Sequence, residues 1–181
     1  MKIKLEGKRV ILRPFVMEDA PSIAKHIHDK DIYEVTLTIP FPYKESDAEW
    51  FIKKSQKDIE EKKAYALGIV LKETNEVIGC IEAGSIDHTH EKSEVGYWLS
   101  KQHWGKGIMP EALDLLIDFA FNGLKLHRLY AFTFVENTAS QKVLEKCGFT
   151  KEGRKKDACK KDGQYKDDFV FGLVVTDYHK K

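Results

Sequence analysis

A chain of 181 residues, 42% hydrophobic and 33% charged, has the balance of a folded protein and the length to bury a core, so a single domain over 1–181 is expected. A formal net charge of +1 argues against a nucleic-acid or anionic-membrane binder, and no direct contact with nucleic acid is expected. No apolar run approaches the roughly 20 residues that span a bilayer, and Met1–Glu6 alternates charge with apolar residues where a signal peptide would be apolar. Cys80, Cys147 and Cys159 form no C-x-x-C pair, which suits a reducing cytoplasm better than disulfides or zinc.

Arg9–Arg13 reads as a first strand stopped by Pro14. Asp19–Asp29 reads as a helix, with Pro21 in its first turn and Ile23, Ala24 and Ile27 on one face. Ile39-Pro40-Phe41-Pro42-Tyr43 cannot be helical; it is expected as an ordered aromatic loop that either lines a site entrance or plugs the first two helices. Ser46-Asp47-Ala48-Glu49 has the form of a capping box and starts a second helix running to about Lys62. The period then becomes strand-like over Tyr65–Leu71 and Val77–Ile86, joined by a turn at Glu73–Glu76 and followed by Ser93–Ser100. From Gly107 to Phe121, the residues Ile108, Ala112, Leu115, Leu116 and Phe119 recur at helical spacing, with Pro110 in the first turn and Gly123 as the expected C-terminal cap. Arg128–Val135 reads as a strand, Asn137–Lys146 as a short helix ended at Gly148, and two last strands flank Asp162-Gly163. This order predicts an α/β protein with a mixed sheet rather than a doubly wound one.

The run Glu94–Gly107 carries the strongest chemical signal. It is a strand, a turn and then Gln-x-x-Gly-x-Gly at the start of a long helix. Glycines there leave helix-terminal N–H groups open to an anionic phosphate. The run lacks the third glycine of a dinucleotide fingerprint and the spacing of a nucleotide-triphosphate loop, since Lys106 lies between Gly105 and Gly107. A turn that merely relieves backbone strain is the plain alternative.

Gln102-His103-Trp104-Gly105-Lys106-Gly107 matches the [Arg/Gln]-x-x-Gly-x-[Gly/Ala] signature of the GNAT superfamily of acyl-CoA-dependent N-acetyltransferases. Asn137–Phe149 resembles that family's Asn-x-x-[Ala/Ser]…Gly-Phe helix. Arg9–Pro14 and Glu94–Leu99 are similar to the RimJ/RimL branch, named for acetylation of ribosomal-protein amino termini, and the likeness runs in order along essentially the whole chain. The resemblance implies the GNAT fold, α/β in the α+β sense: a central mixed, mostly antiparallel sheet splayed between its fourth and fifth strands, with helices on both faces. It also implies acetyl-CoA as co-substrate, no metal, and a primary amine as acceptor. A protein amino terminus is the first expectation for that amine. A small amine, or a non-catalytic acyl-CoA sensor, remains as an alternative, and a homodimer is open.

By the same resemblance the cofactor contacts would be Trp98, Leu99, the turn Gln102, His103, Trp104, Gly105, Lys106, Gly107 and Ile108, then Asn137, Ser140 and Lys142. Lys142, with Lys146, either reaches the phosphates or faces water. The N–H near Leu99 would polarise the thioester carbonyl, a role worth about 3–4 kcal/mol for one donor. Many relatives place a tyrosine where this chain has Leu144, so the acid role moves to Ser140. Its hydroxyl either meets the CoA sulfur or simply leaves room for the pantetheine chain. Glu94 is the candidate base, with Glu82 and the histidines as rivals. Asp87-His88-Thr89-His90-Glu91 has metal-ligand residue types but reads as a polar turn, and the lysine-rich stretch Lys151–Lys161 as a solvated surface.

Overall fold

Eight strands form one sheet in the order β1-β2-β3-β4-β5-β6-β8-β7, with β1 Leu5–Glu6, β2 Val10–Arg13, β3 Tyr65–Leu71, β4 Glu76–Asp87, β5 Lys92–Leu99, β6 Arg128–Phe134, β7 Thr150–Lys161 and β8 Gln164–Val174. The computed structural model describes residues 3–178. Every neighbouring pair is antiparallel except β5 and β6, which run parallel. Parallel neighbours need a crossover, here the helix α4 (Ile108–Asp118), numbered after α1 (Ala20–Ile27), α2 (Lys30–Val35) and α3 (Glu45–Glu60) and followed by α5 (Thr138–Lys146) and α6 (Val175–Tyr178).

Strand alternation divides the apolar residues into two cores. Tyr65, Leu67 and Ile69 of β3 join Ile81, Val95 and Leu99 under α4 and α5. Ala66 and Val70 join Cys80 and Trp98 under α1 and α3, with Phe15, Ile23 and Ile52. Helices therefore cover both faces, as the family resemblance implies.

The expected strands all form, and four local details differ. β1 precedes the first predicted strand and pairs with β2, so the fourth and fifth predicted strands are β5 and β6. α2 was not expected; Asp29 caps it by accepting from the Asp31 N–H at 2.8 Å. The second predicted helix starts at Glu45, because Asp47 rather than Ser46 closes the turn, accepting from the Lys44 N–H at 2.8 Å. Gly123 is not a left-handed cap. The α4 helix leaves through a wider turn, Phe119–Gly123, and Lys125 takes the positive φ of 59°. Gly123 is needed for close approach instead, since a Cβ there would lie 2.9 Å from the Phe119 ring. Gly148 does end α5, with φ 97°.

The parallel pair holds for only three residues, Lys92↔Arg128, Ser93↔Leu129 and Glu94↔Tyr130. Beyond it β5 continues to Leu99 against β4, and β6 to Phe134 against β8. The strands part, and a wedge-shaped gap opens through the sheet.

Candidate active site

Backbone direction fixes what faces the gap. Ser100 N–H donates to the Ile78 carbonyl of β4 at 2.8 Å. In an antiparallel pair adjacent residues point their polar groups to opposite sides, so the Leu99 N–H faces away from β4 and into the gap. The Leu99 carbonyl, on the same side, accepts the Trp104 indole N–H at 2.7 Å, which ties the turn to the strand end. Trp98 sits the other way, with its side chain buried between β4 and the α1/α3 layer.

At the wide end of the gap the turn enters α4. Gly105 and Gly107 have φ of 70° and 72°, and nothing lies within 4 Å of where a Gly105 Cβ would be. Among the described residues, the N–H groups of Gly105, Lys106 and Gly107 find no acceptor. The carbonyls of Lys106 and Gly107 do find donors. Arg9, just ahead of β2, reaches across, giving Nη1 to Lys106 O at 2.7 Å and Nη2 to Gly107 O at 2.8 Å, while its Nε donates to Glu111 at 2.8 Å. Burial would raise the Glu111 carboxyl, but the Arg9 and Val10 donors and the Arg9 charge outweigh it and hold the carboxyl low. Arg9 thus holds the Lys106 and Gly107 carbonyls to one side, which turns the N–H groups of Gly107 and Ile108, across the same peptide planes, to the other. The Gln102 side chain turns toward His26 and His103, at 3.4 and 3.3 Å, and burial together with Lys106 and His26 holds the His103 imidazole below its ordinary value.

On the α4/α5 face, α5 begins at the open end of β6. Asn137 caps it, accepting the Ser140 N–H at 3.1 Å. Gln141 donates to the carbonyls of Phe134 and Val135 at 3.3 and 3.0 Å, satisfying the freed end of β6. Tyr97 projects from β5, with its hydroxyl 2.8 Å from Ser140 Oγ. The buried Thr133 hydroxyl of β6 has no partner among the described residues. Lys142 is exposed one turn along α5.

On the opposite face the side chains are acidic and aromatic. Register places Glu82 of β4 beside Gly96, and Glu94 at the apex of the wedge. Burial raises the Glu82 carboxyl, against the pull of Lys54 and with a push from Asp58 and Glu94. Burial likewise raises Glu94, against Lys155 and with Asp168. Tyr130 and Phe132 of β6 stack edge-on at 5.6 Å. Across this mouth lies α2, held at one end by the Asp31–Lys101 ion pair. At the other end it meets the β7–β8 hairpin. Tyr33 donates to Asp162, and Lys161 Nζ donates to Thr36 O at 2.8 Å over the Tyr33 ring. A cavity of about 320 Å³ lies under this junction, lined by Val35, Phe134, Asn137, Lys161 and Asp162 among others. The proline loop divides its work: Tyr43 is buried in the core, whereas Phe41 is exposed and stacks on Tyr33 at 5.6 Å.

The structure thus brings Leu99, the turn 102–108, Asn137 and Ser140 to one side of the gap and Glu94 to the other, and keeps the Trp98 side chain away. Tyr97, Thr133, Arg9, Lys161 and Asp168 were not read from the sequence as site residues. The alternation Val95, Tyr97, Leu99 carried a signal for Tyr97, since it shares the face of the helix that follows the glycines. Asp87 and His90 bond each other at 2.9 Å and His88 bonds Lys62 O at 2.9 Å, a turn held by its own polar groups. Among the described residues no group of three His, Cys, Asp or Glu side chains is placed to hold a metal, and no helix is long and apolar enough to cross a membrane.

A parallel strand pair that parts, with a glycine turn and helix start at one mouth, is the arrangement that the family resemblance implies. The family model for the acetyltransferase (GNAT) domain matches residues 9–150. The chain belongs to the GNAT family and is an N-acetyltransferase. It is 35% identical to the N-acetyltransferase p20 of Bacillus licheniformis over 174 residues, 96% of this chain and 97% of that one. Over shorter stretches it resembles two Escherichia coli enzymes. The ribosomal-protein-serine acetyltransferase is 30% identical over 113 residues (62% of this chain, 63% of that one), and spermidine N(1)-acetyltransferase is 32% identical over 92 residues (51% and 50%). Among solved structures, the microcin C7 self-immunity acetyltransferase MccE in complex with acetyl-CoA and AMP is similar at TM-score 0.86, with 26% identity and 93% of both chains covered.

Proposed function

We propose that this N-acetyltransferase moves acetyl from acetyl-CoA to a protein amino-terminal amine by direct attack in a ternary complex, in a reducing cytoplasm. The observation that carries the reading is the wedge between β5 and β6, which stop pairing after Glu94 and Tyr130, with unpartnered N–H donors at its wide end. Those donors and the orphaned Thr133 hydroxyl suit the phosphates and amides of a CoA thioester. The MccE complex, held in a similar fold, supports the same ligand. In this reading the turn 102–108 binds the pyrophosphate, Asn137 orients the pantetheine and Lys142 lies near the phosphates. The Leu99 N–H polarises the carbonyl. Glu94, reached through water, takes the proton of the attacking ammonium, and Ser140 meets the departing sulfur.

The ribosomal-protein-serine relative supports a protein acceptor. A second reading, a polyamine, is favoured by the acidic Glu82, Glu94 and Asp168 side and by the spermidine relative. Thiol release from acetyl-CoA, measured with peptides bearing free amino termini, the same peptides blocked, and spermidine, separates them. Turnover only with free amino termini is the expected result. Turnover with spermidine alone would replace the acceptor, and tight CoA binding with no turnover on any amine would leave a sensor.

A further inference from the structure

Two hydroxyls meet across the wedge on the α4/α5 face. Tyr97 Oη lies 2.8 Å from Ser140 Oγ, a contact in which either hydroxyl can donate, and 3.3 Å from the Ser140 carbonyl, which can only accept. Ser140 is itself fixed, because its N–H is held by Asn137 Oδ1 at 3.1 Å in the first turn of α5. The tyrosine ring packs against the core that contains Leu144, which is fully buried and offers no hydroxyl. Burial pushes the Tyr97 phenol above its ordinary range, so it keeps a proton to donate, and the shorter of its two contacts is the one to Ser140 Oγ. A serine hydroxyl has one hydrogen and two acceptor sites. A phenol that donates to Oγ takes one of those two sites and leaves the serine hydrogen for another acceptor.

We propose that Tyr97 is a positioning residue for acyl transfer: its phenol donates to Ser140 Oγ and thereby aims the serine O–H at the thioester sulfur. The proposal rests on the acetyl-CoA reading above for the identity of that sulfur. The amine nitrogen forms its bond to the carbonyl carbon, the carbon–sulfur bond breaks, and the electron pair goes to sulfur. Ser140 steadies the developing thiolate by a hydrogen bond, and neither hydroxyl gives up its proton. The proton lost by the amine leaves on the carboxylate face, and the thiolate takes one from solvent.

Tyr97→Phe keeps the ring and removes only the donor. It should lower kcat about tenfold while the KM for acetyl-CoA stays within about twofold, the loss expected for one well-placed hydrogen bond. Ser140→Ala should lower kcat at least as far, and the double variant should be no slower than Ser140→Ala alone, because the tyrosine acts only through the serine. A binding readout stands apart from turnover. The wild-type protein should bind CoA more tightly than desulfo-CoA in calorimetric titrations, and Tyr97→Phe should lose that preference. An unchanged kcat in Tyr97→Phe, additive losses in the double variant, or an intact preference for CoA would each overturn the role. If no amine is acetylated but the CoA preference is present in wild type and lost in Tyr97→Phe, the contact to sulfur stands and the transfer reading falls.

Discussion

The two mouths of the wedge are built from different materials. On the turn side the free polar groups are backbone N–H donors of residues 105–107, beside carbonyls of Lys106 and Gly107 that Arg9 holds from behind. On the opposite side, proposed above for the acceptor, the groups are side chains: Glu82, Glu94, Asp168, Tyr130 and Phe132, under a short helix tied to a hairpin. Backbone donors tolerate almost any side chain that leaves the turn intact, whereas a side-chain wall changes with every substitution. The first mouth thus suits a ligand common to a whole family, and the second suits whatever differs among its members.

Breaking the turn should have the largest effect. Gly105→Asp meets no atom within 4 Å at its Cβ, so steric clash does not prevent folding, and the φ of 70° adds strain of about 1–2 kcal/mol. Its carboxylate would stand among the donors meant for phosphate. At an effective dielectric of about 20, charges about 4 Å apart interact by about 4 kcal/mol, so CoA affinity should fall on the order of 100-fold or more. Gly105→Ala carries the strain without the charge and should lose much less. Titration calorimetry with CoA checks both, and wild-type affinity in Gly105→Asp would move the phosphate site off the turn.

Next in size is the carboxylate mouth. Burial holds both Glu82 and Glu94 above the ordinary glutamate range, so a base of this kind becomes active only as pH rises past that raised value. The kcat/KM profile should therefore show an acid limb above the usual carboxylate titration. Glu94→Gln should remove the limb and lower kcat on the order of 100-fold. A limb that survives in Glu94→Gln but vanishes in Glu82→Gln would transfer the role to Glu82. Stability should move the opposite way. A raised folded-state pKa means the folded protein holds its proton more tightly, so the contribution is full at low pH and is lost as pH rises through the folded value. Glu82→Gln should thus melt higher than wild type at about pH 8 and match it at about pH 4. An unchanged melting difference between those two conditions would mean that burial does not strain Glu82.

This division also explains what could be read beforehand. Strand alternation and glycine spacing are local, so Tyr65–Leu71, the strand ending at Leu99 and the turn 102–107 were legible from neighbouring residues. The wedge was not: it exists because β5 and β6, joined by a whole helix, stop pairing at Glu94 and Tyr130, and no short pattern reports where two distant strands part. It was anticipated through family resemblance rather than periodicity. Arg9 reaches the turn from 97 residues away in sequence and Lys161 reaches Thr36 across 125, so neither carried a local signal. α2 has no legible period, because six residues ahead of a proline loop are too few to show one, although Asp29 is a usable cap.

The smallest and most selective effect should come from the strap over the acceptor mouth. Lys161 is buried, which is unusual for lysine, and its ammonium rests on the Tyr33 ring, 3.6 Å from the centroid, while donating to Thr36 O. Removing it leaves Thr36 O without that donor and loosens one end of α2, while Lys101 still pairs with Asp31 at the other. A cation–π contact and one charged hydrogen bond, partly replaced by water, are together worth about 1–2 kcal/mol. Lys161→Ala should therefore raise the acceptor KM by about three- to tenfold and leave CoA affinity within about twofold. Lys161→Met, which keeps the buried stem but not the charge, should fall between. Steady-state kinetics with the acceptor varied, beside CoA titration on the same variants, reads the two mouths separately. Weakened CoA binding with an unchanged acceptor KM would assign the strap, and the cavity beneath it that reaches Asn137, to the cofactor's side of the wedge.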